Sequence, residues 1–163
     1  MDDVDEFVAA LKQHHESMRA LAVRTMHDQS LADDALQNAY TSAFTNRASF
    51  RGDAAFSTWL YRIVYRSCID EIRRRKPTQQ LDDDLATDLR FEDVIETKMQ
   101  LRRALGTLTP EHRAAVWLID AEGYSYRDTA TILDIAEGTV ASRVVRARAA
   151  LQQALGIDAK EIE

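Results

Sequence analysis

Along the first part of the chain, apolar side chains recur three and four residues apart. Val4, Phe7, Val8, Leu11, Met18, Leu21 and Ala22 trace one stripe, and this spacing predicts an amphipathic helix of about five or six turns that must bury the stripe against a partner. The partner follows at once. Ser30, with Asp33 three residues on, has the form of a capping box, and Ala32, Ala35, Leu36, Ala39, Tyr40 and Ala43 predict the buried face of a second helix. Residues 46–53 lose the period and include Gly52, which predicts a loop. Ser57 is positioned to cap a third helix running from Thr58 to about Arg75, and Pro77 ends it.

From Pro77 to Asp93 large apolar residues become scarce and Asp82-Asp83-Asp84 stands at the centre, so this stretch predicts a flexible acidic linker. The helical period returns near Val94 with Ile95, Met99, Leu101, Leu105 and Leu108. Thr109-Pro110 then supplies an N-cap and a first-turn proline for a helix expected to end at Gly123. Ser125 and Asp128 form a second capping box. A short helix with Ala130, Ile132 and Leu133, a turn at residues 134–136 and a longer helix through Leu151 complete helix-turn-helix spacing. Alternating strand patterns and repeats are missing. The expected fold is all-α, with two small helical domains at residues 1–76 and 94–163 joined by the linker at 77–93.

Composition narrows the function. Cys68 is the single cysteine, so an internal disulfide is excluded and no CxxC pair exists. The N-terminus is acidic where a secretory signal is basic, and no apolar run approaches the roughly 20 residues of a membrane span. A cytoplasmic protein without membrane insertion is expected. The net charge of −6 argues at first against nucleic acid, which demands local positive charge. Its distribution points the other way. Acidic and basic residues number 11 and 11 over residues 1–76, 6 and 1 over 77–93, and 10 and 9 over 94–163. The excess acid therefore sits in the linker, while Arg73-Arg74-Arg75-Lys76 and Arg143, Arg146 and Arg148 create basic surfaces on either side.

Two surfaces carry candidate chemistry. On the last helix Val140, Val144, Ala147 and Leu151 share the packing face, and Thr139, Ser142, Arg143 and Arg146 share another. Arginine suits guanine edges and phosphates and the hydroxyls suit either, as in a helix that reads a major groove. An ordinary solvated basic face is the plain alternative. On the third helix Arg62, Arg66 and Arg73 align. Phe50, Phe56, Trp59 and Tyr61 bring aromatic rings beside them, a combination on which unpaired bases stack, although Phe56 and Trp59 taken singly fit core packing better. The polar loop before that helix, containing Gly52, has the short side chains and free backbone groups to surround one base that has left the stack. Asp33, Asp34, Gln37 and Asn38 line the polar side of the second helix, where a protein partner or plain solvation are both open. His14 and His15 point apart on a helix, so no metal site is expected there. No phosphate loop, nucleophile elbow or zinc-hydrolase motif occurs, and no catalytic residue, metal or cofactor is expected.

Phe50-Arg-Gly-Asp-Ala-Ala-Phe-Ser-Thr-Trp-Leu-Tyr-Arg-Ile63 resembles the promoter-melting segment of extracytoplasmic-function (ECF) sigma factors of RNA polymerase. Ala32-Asp-Asp-Ala-Leu-Gln-Asn38 is similar to their polymerase-binding helix, and Leu108-Thr-Pro-Glu-His-Arg113, Gly123-Tyr-Ser-Tyr-Arg-Asp128 and Glu137-Gly-Thr-Val-Ala-Ser-Arg143 to their region four. The resemblance implies an alternative sigma factor, not an enzyme, whose region two spans about residues 1–76 and whose region four spans 94–163. Its partners would be core RNA polymerase through the beta and beta-prime subunits, promoter DNA and an anti-sigma factor. Asp33, Asp34, Gln37 and Asn38 would face the polymerase clamp. Phe50, Arg51, Gly52, Asp53, Ala54, Phe56 and Trp59 would form the −10 pocket for a flipped base, with Arg62 and Arg66 along the DNA. Thr139, Ser142, Arg143 and Arg146 would read the −35 element. Three positions depart from the family pattern: Leu31 stands where an acid is usual, Asn38 replaces a frequent acid, and Asp134 replaces the turn glycine. A stand-alone helix-turn-helix regulator would leave residues 50–66 unexplained, and an enzyme would need converging ionisable groups that the sequence lacks.

Overall fold

Helix α1 (Val4–Met26) ends where His27 turns left-handed, at φ 57°, and Asp28 returns to extended geometry. The Asp28 carboxylate accepts the Leu31 amide at 2.9 Å and starts α2 (Gln29–Thr45). The cap is thus Asp28 rather than Ser30, because a two-residue connection leaves no chain to spare before the next helix begins. A short 3-10 turn (Arg47–Ser49) and the loop through Ala55 lead to α3 (Phe56–Arg74). This helix starts from Ala55, two residues before the expected Ser57 cap, and no side chain caps it. The computed structural model describes residues 4–75 and 92–156. Most of the acidic linker, with Pro77 in it, lies outside them.

The second half opens with α4 (Glu92–Gly106) and α5 (Pro110–Val116), the latter started as expected by Thr109, whose hydroxyl accepts the His112 amide. One wider turn (Trp117–Ala121) carries the chain to Gly123 at φ 72°. Ser125 caps α6 (Tyr126–Leu133) by accepting the Asp128 amide at 3.0 Å, and Asp134 adopts φ 59°, ψ 47° at the turn into α7 (Glu137–Leu155). Aspartate thus performs the turn's left-handed step, which its short polar side chain tolerates. Among the described residues there is no strand.

Helices α1, α2 and α3 bury Phe7, Met18, Leu21, Leu36, Leu60 and Val64 between them, whereas Val4 and Val8 of the predicted stripe stay exposed. Helices α5, α6 and α7 bury Leu118, Ile132, Val140 and Val144. These two sets form one continuous cluster, because α1 packs on α5 and α3 packs on α6. A smaller cluster of Leu105, Leu108, Val116 and Ala147 seats α4 on α5 and α7.

Arg113 holds the seam. It is 6% exposed, and its guanidinium donates to the carbonyls of Arg24 and Thr25 at the end of α1 and of Leu105 and Leu108 around the end of α4. Burial lowers its pKa to about 10, so the group stays charged and offsets the partial negative charge of both helix ends. Nearby, Arg24 lies 5.0 Å from the centre of the Trp117 ring, and the His27 ring rests against Gly106.

The seam can be tested in two ways. Arg113→Met keeps much of the volume but strands those carbonyls, and should destabilise the protein by about 3 kcal/mol in urea unfolding. His27 has its pKa depressed by burial and then by Arg113, Arg102 and Arg24. A base whose folded pKa is lowered contributes its full stability above its unfolded value near 6.5 and loses it as pH falls toward the folded value. The thermal midpoint should therefore drop between about pH 7 and pH 5. His27→Asn, which suits the left-handed backbone, should flatten that drop but leave the part due to His112, whose pKa is lowered mainly by burial.

Candidate nucleic-acid interface

The residues expected to form the −10 pocket come together around an open cleft of about 750 Å³. Phe50, Arg51, Gly52, Asp53, Ala54, Trp59 and Arg62 all line it. Gly52 sits at φ 78° with open space around its α-carbon, a backbone geometry that disfavours a side chain. Phe56 sits behind the cleft. It stacks on Trp59 with ring centres 5.6 Å apart, meets Phe50 edge-on at 5.4 Å and anchors on buried Phe7 at 5.9 Å. Core packing and presentation are thus served by the same rings: Phe56 and Trp59 are half-buried, and Trp59 still borders the cleft. Tyr61 differs. It is buried, its hydroxyl donates to Glu122 at 3.4 Å and its ring meets Tyr124 at 5.4 Å, so it belongs to the seam.

The far wall of the cleft was not legible in the sequence. Tyr124, Ser125, Arg127, Asp128 and Thr131, from the start and body of α6, face the loop across it. No local pattern could have shown this, since the wall comes from residues more than 60 positions further along the chain.

Arg62 and Arg66 project from α3 toward the helix-turn-helix. Each donates to one oxygen of Asp134, at 2.8 and 2.7 Å, so a single carboxylate bridges both guanidiniums. These contacts, first the Arg66 hydrogen bond and then the Arg62 charge, hold the Asp134 carboxyl below its ordinary pKa. Arg73 is exposed and not part of this group.

On α7 Thr139, Ser142 and Arg146 are exposed, and Val140, Val144 and Ala147 are buried on the opposite side, as the helical spacing requires. Arg143 is only half-exposed. It faces Tyr65 of α3, whose phenol is pushed up by burial and pulled back by that arginine. Its Nη1 is buried with no hydrogen-bond partner among the described residues. On α2 Asp33, Asp34, Gln37 and Asn38 all face solvent, and Asp33 pairs with Arg19 of α1 at 3.0 Å. No cluster of histidine, cysteine and acidic residues suited to a metal occurs among the described residues, and none of their helices is long and apolar enough to cross a membrane.

This geometry meets two sequence families. Sigma-70 region 2 matches residues 10–78 and Sigma-70 region 4 matches residues 98–151. The ECF RNA polymerase sigma factor SigM of Mycobacterium tuberculosis is 47% identical over 152 residues, covering 92% of this chain and 77% of SigM. The chain belongs to the ECF sigma factors. It is accordingly an alternative sigma factor, a transcription-initiation protein that acts with RNA polymerase at promoter DNA. The RNA polymerase sigma-H factor of Pseudomonas aeruginosa is 34% identical, over 89% of this chain and 83% of its own length. Among solved structures, the sigma factor RpoE in complex with the anti-sigma factor NepR from Bartonella quintana superposes with a TM-score of 0.75 at 27% identity, covering 95% of this chain and 99% of RpoE. CnrH in complex with the cytosolic domain of CnrY gives 0.72 at 22% identity over 97% and 92% of the two chains, a likeness of fold.

Proposed function

We propose that this sigma factor opens its promoters by capturing one unpaired −10 base in the cleft behind residues 50–54 while α7 reads the −35 element in the major groove. The observation that carries this is the cleft itself. The loop, Trp59, Arg51 and Arg62 line one wall of a space large enough for a nucleotide. The ring can stack on a base face, the backbone and short side chains can satisfy the base edges, and the arginines can hold the phosphates. Arg66 continues the basic line along the strand. Thr139, Ser142, Arg143 and Arg146 contact base edges and phosphates of the duplex.

Asp33, Asp34, Gln37 and Asn38 form the surface for core polymerase, at its beta and beta-prime clamp. With Leu31 and Asn38 in place of acids, fewer charges serve this contact, and Arg19 competes for Asp33. The domains divide at residues 76 and 94, with the acidic linker between them. An anti-sigma factor is the inhibitory partner, by similarity to the relatives bound to NepR and CnrY.

Runoff transcription with core enzyme on a library of upstream regions tests the reading as a whole, and failure to initiate at any promoter overturns it. On a promoter so found, Arg143→Ala should weaken binding of the −35 duplex by about 1–3 kcal/mol. An unchanged affinity removes Arg143 from the reading face. Asp53→Ala combined with Ala54→Trp fills the cleft, and should leave −35 binding intact while reducing permanganate-reactive open complex. Base capture offsets an unstacking cost of a few kcal/mol, so the loss should be much larger on a fully paired template than on one with a pre-melted −10 region. Normal melting of the paired template by the filled variant excludes the pocket.

A further inference from the structure

The start of α5 lies beside the proposed reading face of α7, and His112 is the residue it brings there. The Thr109 hydroxyl accepts the His112 amide at 3.3 Å and so fixes this residue in the first turn of α5. Arg113, Ala114, Ala115 and Val116 follow it into the interior, whereas His112 stays half-exposed at the border of the packed face. Helix α5 packs on α7. Arg143 and Arg146, one turn apart on α7, both lie close enough for their charge to act on the His112 ring.

We propose that His112 is a further contact to the −35 duplex, taking up a proton as DNA binds and gripping the phosphate backbone beside Arg143 and Arg146. The proposal rests on the assignment of α7 to the −35 element, and extends that surface from one helix to two.

In the free protein, burial and then the charges of Arg143 and Arg146 hold the His112 pKa below its ordinary value, with Glu111 of α5 opposing them. The ring is therefore mostly neutral near pH 7. The other charged groups packed around α5 are engaged elsewhere: Arg24 of α1 lies over Trp117, His27 rests against Gly106 of α4, and Asp120 pairs with Arg148. Two arginines and a histidine thus meet with one acid among them, and a duplex presents one phosphate charge per about 1.7 Å of its axis. Phosphates on the arginines cancel the field that resists the proton, and a phosphate beside the ring favours it directly. Both ring nitrogens then donate, where the neutral ring offers one donor. Linkage fixes the sign: a group that gains a proton on binding makes affinity rise as pH falls, from a lower plateau above its bound pKa to a higher one below its free pKa.

The experiment follows the anisotropy of a fluorescein-labelled duplex carrying the −35 element of a promoter found by runoff transcription. It uses a His27→Asn background, which removes the titration at the seam. Affinity should rise by about three- to tenfold from about pH 8 to pH 6. His112→Gln should flatten the rise, and His112→Lys, charged throughout, should hold the higher affinity at both pH values. By NMR the His112 Cε1 proton should titrate at higher pH with the duplex bound than without it. An undiminished rise in His112→Gln, or a His112 titration that the duplex leaves in place or lowers, overturns the proposal. A His112→Lys protein that binds no better at pH 8 than its parent overturns charge as the cause, and with it the phosphate contact. Arg146→Gln separates this contact from the reading beneath it. Its affinity should fall at both pH values; if it falls at neither, the assignment of α7 to the duplex fails and the His112 contact fails with it, whereas a fall there beside an unflattened His112→Gln removes the His112 contact alone.

Discussion

The arrangement of the two lobes depends on a buried cation without a buried anion. Arg113 loses most of its water and gains the carbonyls of Arg24, Thr25, Leu105 and Leu108, so its charge is matched by two helix ends instead of a carboxylate. Losing hydration is costly for any ion. The fivefold donor geometry of guanidinium allows one side chain to finish α1 and α4 together. A lysine in that place would have three donors around one point and could not serve both helix ends. Around Arg113 the seam continues through polar groups: Arg24 on Trp117, Tyr61 on Glu122, Arg62 and Arg66 on Asp134.

That polar character separates the seam from the cores on either side. Within each lobe the buried residues are mostly apolar, and parting them exposes apolar surface at about 25 cal/mol per Å². Across the seam the exposed ion pairs of Arg62 and Arg66 with Asp134 can be replaced by water at small net cost, whereas the buried hydrogen bonds of Arg113 cannot. The seam is not polar throughout, since buried side chains such as Tyr61 and Leu118 join the two lobes in one cluster.

Much of the local structure was legible because it is locally determined. Ser125 with Asp128 and Thr109 with Pro110 cap helices as their spacing predicts, and the buried face of α2 is the one its alanines mark. Ser30 and Ser57 misled for a common reason: each is a competent cap two residues past the real one, and chain connectivity, at His27-Asp28 and at Ala55, decides which wins. The proposed site was half legible. The loop, the rings and the arginines could be read from their order. The opposing wall on α6, the role of Tyr65 against Arg143 and the partner of Arg62 could not, since pairs 68 and 72 residues apart leave no period in the sequence. Asp134 was visible only as an exception, a turn residue that is tolerated for its backbone and turns out to be used for its carboxylate.

This difference in range has a consequence for an acidic protein that must bind DNA. A net charge of −6 would repel a phosphate backbone if it were spread evenly, yet lobes with nearly balanced charge can each present a local basic face. Such faces are available to the wrong acids as well as to DNA. Asp134, set between Arg62 and Arg66, pairs with both at short range, whereas nucleic acid offers a row of phosphates along with stacking and groove contacts that one carboxylate cannot match. Two exposed ion pairs are each worth about 1 kcal/mol or less, little enough for several phosphate contacts to overcome. A buried pair in the same place would bind the lobes more tightly and would resist the very ligand the surfaces are shaped to receive.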